Sequence, residues 1–152
     1  MSIRYLNSNT LHFTAMIALA VIVFGGHAQA AGVTVSNGWI RKLPANLPAA
    51  GYFELHNGGD KAVSLTGANS PACGMLMLHQ SKDIGGMEHM SDVASVDVAA
   101  GKTVTFAPGG YHLMCMHPGP ALQIGAKVPV TLNFRGGTKV VADFAVRNAG
   151  GK

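Results

Sequence analysis

Beyond residue 31 the chain is a succession of short β-forming runs broken by glycine, proline, asparagine and aspartate, and no window carries apolar residues at a sustained period near 3.6. "VTVSNGWI", "AGYFELHN", "KAVSLTGANSP", "GMLMLH", "VASVDVAAGK", "TVTFAPGG", "YHLMCMH", "VPVTLNF" and "KVVADFAVR" follow one another with turn residues between them. A chain of this kind cannot build helical layers. Seven to nine short strands, recurring every 8 to 12 residues or so, fit an all-β Greek-key sandwich or barrel. "RKLPANLPAA" reads as the loop between the first two strands, and "QSKDIGGMEHMSD" as a polar loop after "GMLMLH".

The first thirty residues belong to a different class of segment. A basic residue in "MSIR", an apolar run "FTAMIALAVIVF" from Phe13 to Phe24 and the small-x-small pattern "AQA" at 28–30 have the three parts of a secretory signal peptide. Twelve apolar residues fall short of the roughly 20 that span a bilayer. Cleavage after Ala30 is expected, leaving residues 31–152 as one exported domain, without membrane insertion. Lysine and arginine are scattered without a basic stripe, which argues against a nucleic-acid partner.

The two cysteines, Cys73 and Cys115, acquire meaning from export. In an oxidising compartment a disulfide is favoured; the other readings are two buried thiols, or one thiol acting as a metal ligand.

"GGYHLMCMHPGP", residues 109–120, sets His112, Met114, Cys115, Met116 and His117 almost side by side. A core strand obtains apolar bulk from Leu, Val and Ile without donor atoms, so the donors need their own explanation. On a strand His112, Met114 and Met116 share one face, while Tyr111, Leu113, Cys115 and His117 share the other. His112 and Met114, about 6.6 Å apart along the strand, make half of a site. Imidazole and thioether together suit Cu(I) better than zinc or a hard cation. His79, at the end of "MLMLH", and Met90 are candidates for the other half.

At this point the sequence resembles the periplasmic copper chaperones that supply the CuA centre of cytochrome c oxidase, the PCu(A)C family. Their signature is a His, ten residues, a Met, twenty-one residues, then His-x-Met, and His79, Met90, His112 and Met114 match every interval. "GGYHLM", "AGYFELHNGGD" and "GANSP" extend the resemblance over most of the chain beyond residue 31. The resemblance implies a cupredoxin-like β-sandwich that holds Cu(I) through two histidines and two methionines. It also implies an acceptor at the oxidase CuA subunit or a thioredoxin-like assembly factor. A monomer is expected.

The chain departs from the family where many members carry a methionine just after the first histidine; here stand Gln80 and Ser81. Met87 and His89 are either auxiliary ligands or solvated loop residues, and Met116 is open. "NAGGK" at the C-terminus offers no His/Met-rich extension for a second copper. Met75 and Met77, flanked by Leu76 and Leu78, are expected to fill core gaps, and His56 to lie at the surface.

Two other classes compete. A blue-copper electron-transfer protein would use a cysteine thiolate, two histidines and a weak axial methionine, which "CMH" at 115–117 faintly suggests. A non-metal binding module would use the sandwich only as a scaffold. With no nucleophile–base pair, phosphate loop or paired acids in a plausible setting, the sequence does not read as an enzyme.

Overall fold

The computed structural model describes residues 32–152; the segment read as a signal peptide lies outside the described residues. The described chain is all-β, with ten strands. They are β1 (Val33–Arg41), β2 (Ala49–Asn57), β3 (Val63–Asn69), β4 (Cys73–Ile84), β5 (Met87–Asp92), β6 (Val96–Val98), β7 (Thr103–Phe106), β8 (Tyr111–Pro118), β9 (Lys127–Phe134) and β10 (Lys139–Arg147). The hydrogen-bonded order is β5-β4-β8-β2-β1-β10-β9-β3-β6, with β7 paired to β2 off that path. Neighbours distant in sequence, such as β2 with β8 and β3 with β9, are the long returns of a Greek key. The path curls until β3 packs against β4, so the expected cupredoxin-like sandwich forms around one core.

β2 shows how sequence produces this closure. Nearly every residue of "AAGYFELHN" is buried, so both faces and both edges of the strand must be covered. Its first half, Ala49–Gly51, pairs with β8. Its second half, Phe53–His56, turns to β7 instead. The switch stacks Phe53 on Phe106, ring centroids 4.2 Å apart, and brings Phe144 within 5.4 Å of Phe53. Asn57 closes the strand: its buried amide donates to the carbonyls of Lys61 and Val98, and its side-chain oxygen accepts from the Gly59 N–H. These bonds satisfy a polar group that would otherwise be costly to bury.

β1 carries an irregularity between Ser36 and Trp39. Asn37 there has a positive φ of 54°, and a Cβ placed on Gly38 would sit 2.7 Å from the Phe144 ring. The bulge adds a residue so that Trp39–Arg41 can lie parallel to Ala145–Arg147 of β10 while the core ring stays in place.

In one segment the structure differs from the expectation. "QSKDIGGMEHMSD" is a hairpin, with β4 running on to Ile84 and returning as β5, and this is one reason the strands exceed the expected seven to nine. Gly85 and Gly86 form a two-residue turn with φ of +64° and +81°, the left-handed pair that a type I′ hairpin turn requires. Asp83 accepts a hydrogen bond from the Gly86 N–H at 2.9 Å. Every residue of β5 is exposed, so the alternation that announces a half-buried strand is missing from its sequence.

Cys73 and Cys115 form a disulfide, as favoured from the sequence. The bridge spans 42 residues, and Cys115 is fully buried among the core residues. On the chain-entropy model, closing a loop of this length stabilises the fold by about 4 kcal/mol. A Cys73→Ser/Cys115→Ser variant should lose about that amount, read as a lower urea midpoint, with a steeper slope as the uncrosslinked denatured chain exposes more surface.

Candidate metal centre

The centre is built on the pairing of β4 with β8. These strands run antiparallel in a register that sets Met75 opposite Met116, Met77 opposite Met114 and His79 opposite His112. Directly opposed residues of an antiparallel pair project from the same face, with Cβ atoms about 4.5–5.5 Å apart. Leu76, Leu78, Leu113 and Cys115 occupy the alternate positions and fill the core. The donor side chains are thereby turned to the other face.

β5 extends that face on the far side of β4. His79 pairs with Asp92 and Ser81 with Met90, so Met90 stands on the same side as His79, one residue pair along. Met87 and His89 point to the opposite face of the hairpin and are exposed, so they do not join Met90. On the other flank β2 places Ala50 opposite Met114, where its small side chain leaves room for the thioether.

His112 is only 4 % exposed. Its Nδ1 lies 3.1 Å from the Gly110 carbonyl. A carbonyl can only accept, so Nδ1 must carry the proton and Nε2 holds a free lone pair. That Nε2 is buried and has no hydrogen-bond partner. Burial pushes the His112 pKa below the ordinary histidine value, against the opposing effect of the Gly110 hydrogen bond, and the nearby His79 adds to the lowering. A neutral ring with one nitrogen protonated and the other free is the state in which histidines bind metals.

His79 meets His112 edge-on, with ring centroids 5.7 Å apart at 67°. Its Nε2 is 2.8 Å from an Asp92 carboxylate oxygen, but neither ring nitrogen makes a well-aligned hydrogen bond. A cavity of about 310 Å³ opens beside the pair, lined by Met90, His112 and Met114 together with Arg41, Tyr52, Glu88, Pro108 and Gly109. His79 is not part of that lining; it stands behind, against the His112 ring. Met90 is 51 % exposed and forms the outer lip.

The wall on the β2 side is a stack of rings and cations. Tyr52 lies 6.4 Å from the His112 ring and 4.8 Å from Trp39. Arg41 sits over Tyr52 at 5.5 Å, and Arg147 over Trp39 at 5.0 Å. Burial raises the Tyr52 pKa, although Arg41 acts in the opposite direction.

All four residues that match the family spacing therefore share one face, although Met90 reaches it from a strand rather than a loop. The sequence reading of Met75 and Met77 needs correction. Met75 is 53 % exposed and Met77 half-buried, because Leu76 and Leu78 take the inward positions and alternation turns the methionines outward. The signal was present: residues 75, 77 and 79 must share a face, so an outward His79 fixes both methionines outward. Arg41, Tyr52 and Glu88 gave no comparable signal, since only the fold brings them to the cavity. His56, part-exposed, pairs its Nδ1 with the Thr103 hydroxyl at 3.0 Å, away from the centre.

The donor set decides what this face can bind. Among the described residues no group of three His, Cys, Asp or Glu side chains converges on a metal position, so a site here has to recruit the methionine sulfurs. The disulfide occupies both cysteines, which removes the thiolate that a blue-copper centre requires.

A cupredoxin-like sandwich is also the fold of the solved PCuAC domains. The chain belongs to the LpqE-like family, whose model, described as "Putative lipoprotein LpqE-like", matches residues 33–146. It is 34 % identical over 124 residues to "Putative lipoprotein Lxx21020" of Leifsonia xyli subsp. xyli, covering 81 % of this chain and 74 % of that protein. The solution structure of CuI-DR1885 from Deinococcus radiodurans is 27 % identical, with a TM-score of 0.60 over 80 % of this chain and 83 % of that one. The copper-bound PCuAC domain from PmoF2, 22 % identical, shares the fold with a TM-score of 0.63 over 77 % of this chain and 93 % of that one. The resemblance to the PCu(A)C family read from the sequence is borne out.

Because burial lowers the His112 pKa, this group's contribution to stability is complete above the unfolded value of about 6.5. It is lost as pH falls from there through the folded value. An imidazole NMR titration should show His112 as the Nδ1–H tautomer at pH 6.5 and protonating only in more acid solution; titration at or above 6.5 would contradict the geometry.

Proposed function

We propose that this protein is a periplasmic copper chaperone that carries Cu(I) as cargo on His79, Met90, His112 and Met114 and hands it on by ligand exchange. The observation that carries this reading is the His112 ring: its Nδ1 proton is committed to the Gly110 carbonyl, and its free Nε2 is buried without a partner on the face that holds Met90 and Met114. An unpaired polar atom in such a position costs stability. A soft cation would compensate that cost. The copper-bound state of the similar domains from PmoF2 and DR1885 supports the choice of ion.

The ligands divide by mobility. The histidines are held in place by the sheet, whereas Met90 sits at the lip on an exposed hairpin. An entering donor from an acceptor can displace the Met90 thioether first, while the imidazoles keep the ion from escaping. Thioethers bind Cu(I) without losing a proton, so release does not depend on protonating a thiolate. The acceptor in this reading is a thiolate-rich site such as the oxidase CuA centre, or a thioredoxin-like assembly factor. Residues 1–30 act as the export signal and are removed, and residues 31–152 work as a single monomeric domain. The lipoprotein name of the Leifsonia relative supports a location outside the cytoplasm.

Met114→Ala should weaken Cu(I) binding at least about tenfold, or about 1.4 kcal/mol, without unfolding the domain, as measured by competition with a Cu(I) chelator. X-ray absorption of the loaded protein should give both nitrogen and thioether-sulfur neighbours. A shell of oxygen and nitrogen alone, or a purified protein that takes up no Cu(I), would overturn the assignment.

A further inference from the structure

Methionine is normally a core filler, valued for its flexibility. Here Met75, Met77, Met87, Met90, Met114 and Met116 are all absent from the buried core, which is built from Leu, Val, Ile, Phe and Ala with the disulfide. Met90 and Met114 belong to the centre described above. Met75, Met77 and Met116 do not, yet they share its face.

The β4–β8 register places Met75 directly across from Met116 and Met77 directly across from Met114. Successive same-face pairs are about 6.6 Å apart along a strand, and opposed Cβ atoms about 5 Å apart across it. Flexible methionine side chains on this lattice can bring three sulfurs to one point between the pairs. The place is also accessible: Met75 is 53 % exposed, and Met77 and Met116 are half-buried. No carboxylate, ammonium or guanidinium group belongs to the Met75–Met77 and Met114–Met116 segments. Their outward donors are purely soft.

We propose that Met75, Met77 and Met116 form a second Cu(I) position, a three-thioether station one residue pair along the ladder from Met114 and two from the His79–His112 pair. The inference rests on the reading of this face as a Cu(I) carrier. The station binds more weakly than the centre, because it lacks imidazole and is open to water. It extends the path by which the ion enters or leaves: Met77 faces Met114 across the strands, so one thioether can release the ion as the next takes hold. No electron or proton moves in this step; one Cu–S bond forms as another breaks.

Anaerobic Cu(I) titration of protein labelled with ¹³C at the methionine methyl groups, followed by NMR and native mass spectrometry, tests this. The first equivalent should shift the methyls of Met90 and Met114. A second, about tenfold weaker or more, should shift those of Met75, Met77 and Met116. Met75→Leu/Met116→Leu, which keeps side-chain volume but removes the sulfurs, should weaken the second equivalent at least about tenfold and leave the first unchanged. In a His79→Ala/His112→Ala variant the tight equivalent should be lost while the methyls of Met75 and Met116 still respond. The station is refuted if excess Cu(I) never moves those two methyls, or if the leucine variant keeps the second ion. If Met75 and Met116 respond while Met90 and Met114 do not, the station stands and the assignment of the centre fails.

Discussion

The register between β4 and β8 is the constraint on which the rest depends. Side chains on paired strands repeat every two residues, so a one-position slip of β4 would turn His79 into the core and expose Leu76 and Leu78, and a slip of β8 would turn His112 and Met114 inward and expose Leu113. The leucines prevent this. Burying a leucine side chain is worth roughly 1.5–3 kcal/mol, and every leucine of the slipped strand leaves the core at once. The apolar residues of this sheet therefore hold the polar and sulfur-bearing ones in line, although they touch no ligand. Cys115, on the same inward face, ties β8 to the start of β4 by the disulfide and reinforces the alignment.

That division of labour explains why the chain carries its chemistry on regular strands rather than on loops. A loop can bring donors together, but it leaves their directions to its own flexibility. On β8 the backbone fixes both His112 and the Gly110 carbonyl that its Nδ1 addresses, two residues apart, so the tautomer is set by the entry into the strand itself. The neighbouring strand β2 contributes smallness at Ala50 and a ring wall at Tyr52, and the Arg41 guanidinium lies over that ring at the cavity. A cation held against an aromatic face stays near the cavity without supplying a competing ligand.

Much of this was legible in the sequence, and what was missed has physical causes. The all-β class followed from the spacing of turn residues, and the inward position of Cys115 from alternation along "YHLMCMH". The hairpin of β4 and β5 was hidden because β5 is exposed on both faces and has no apolar alternation to detect; only Gly85-Gly86 marked it, and a glycine pair also reads as a loop. The outward turn of Met75 and Met77 was hidden by hydrophobicity, which assigns methionine to the interior unless the phase of its strand is known. Arg41, Tyr52 and Glu88 could not be found in advance. They lie on three strands, β1, β2 and β5, and only the completed path sets them round one cavity.

The graded burial of the four centre residues bears on how a carrier differs from a storage site. His112 is closed off, the His79 side chain is 12 % exposed, Met114 is half-buried, and Met90 is 51 % exposed on a hairpin held by β4 alone. A site with four equally buried ligands would have to open as a whole before an acceptor could reach the ion, and its release would be governed by the unfolding of the sheet. With one flexible thioether at the lip, a single side-chain rotation exposes a coordination position while the sheet remains intact. Rotamer changes of exposed side chains take picoseconds to nanoseconds, and local unfolding takes microseconds or longer. The same fold can thus hold its cargo through rigid imidazoles and exchange it through a mobile sulfur.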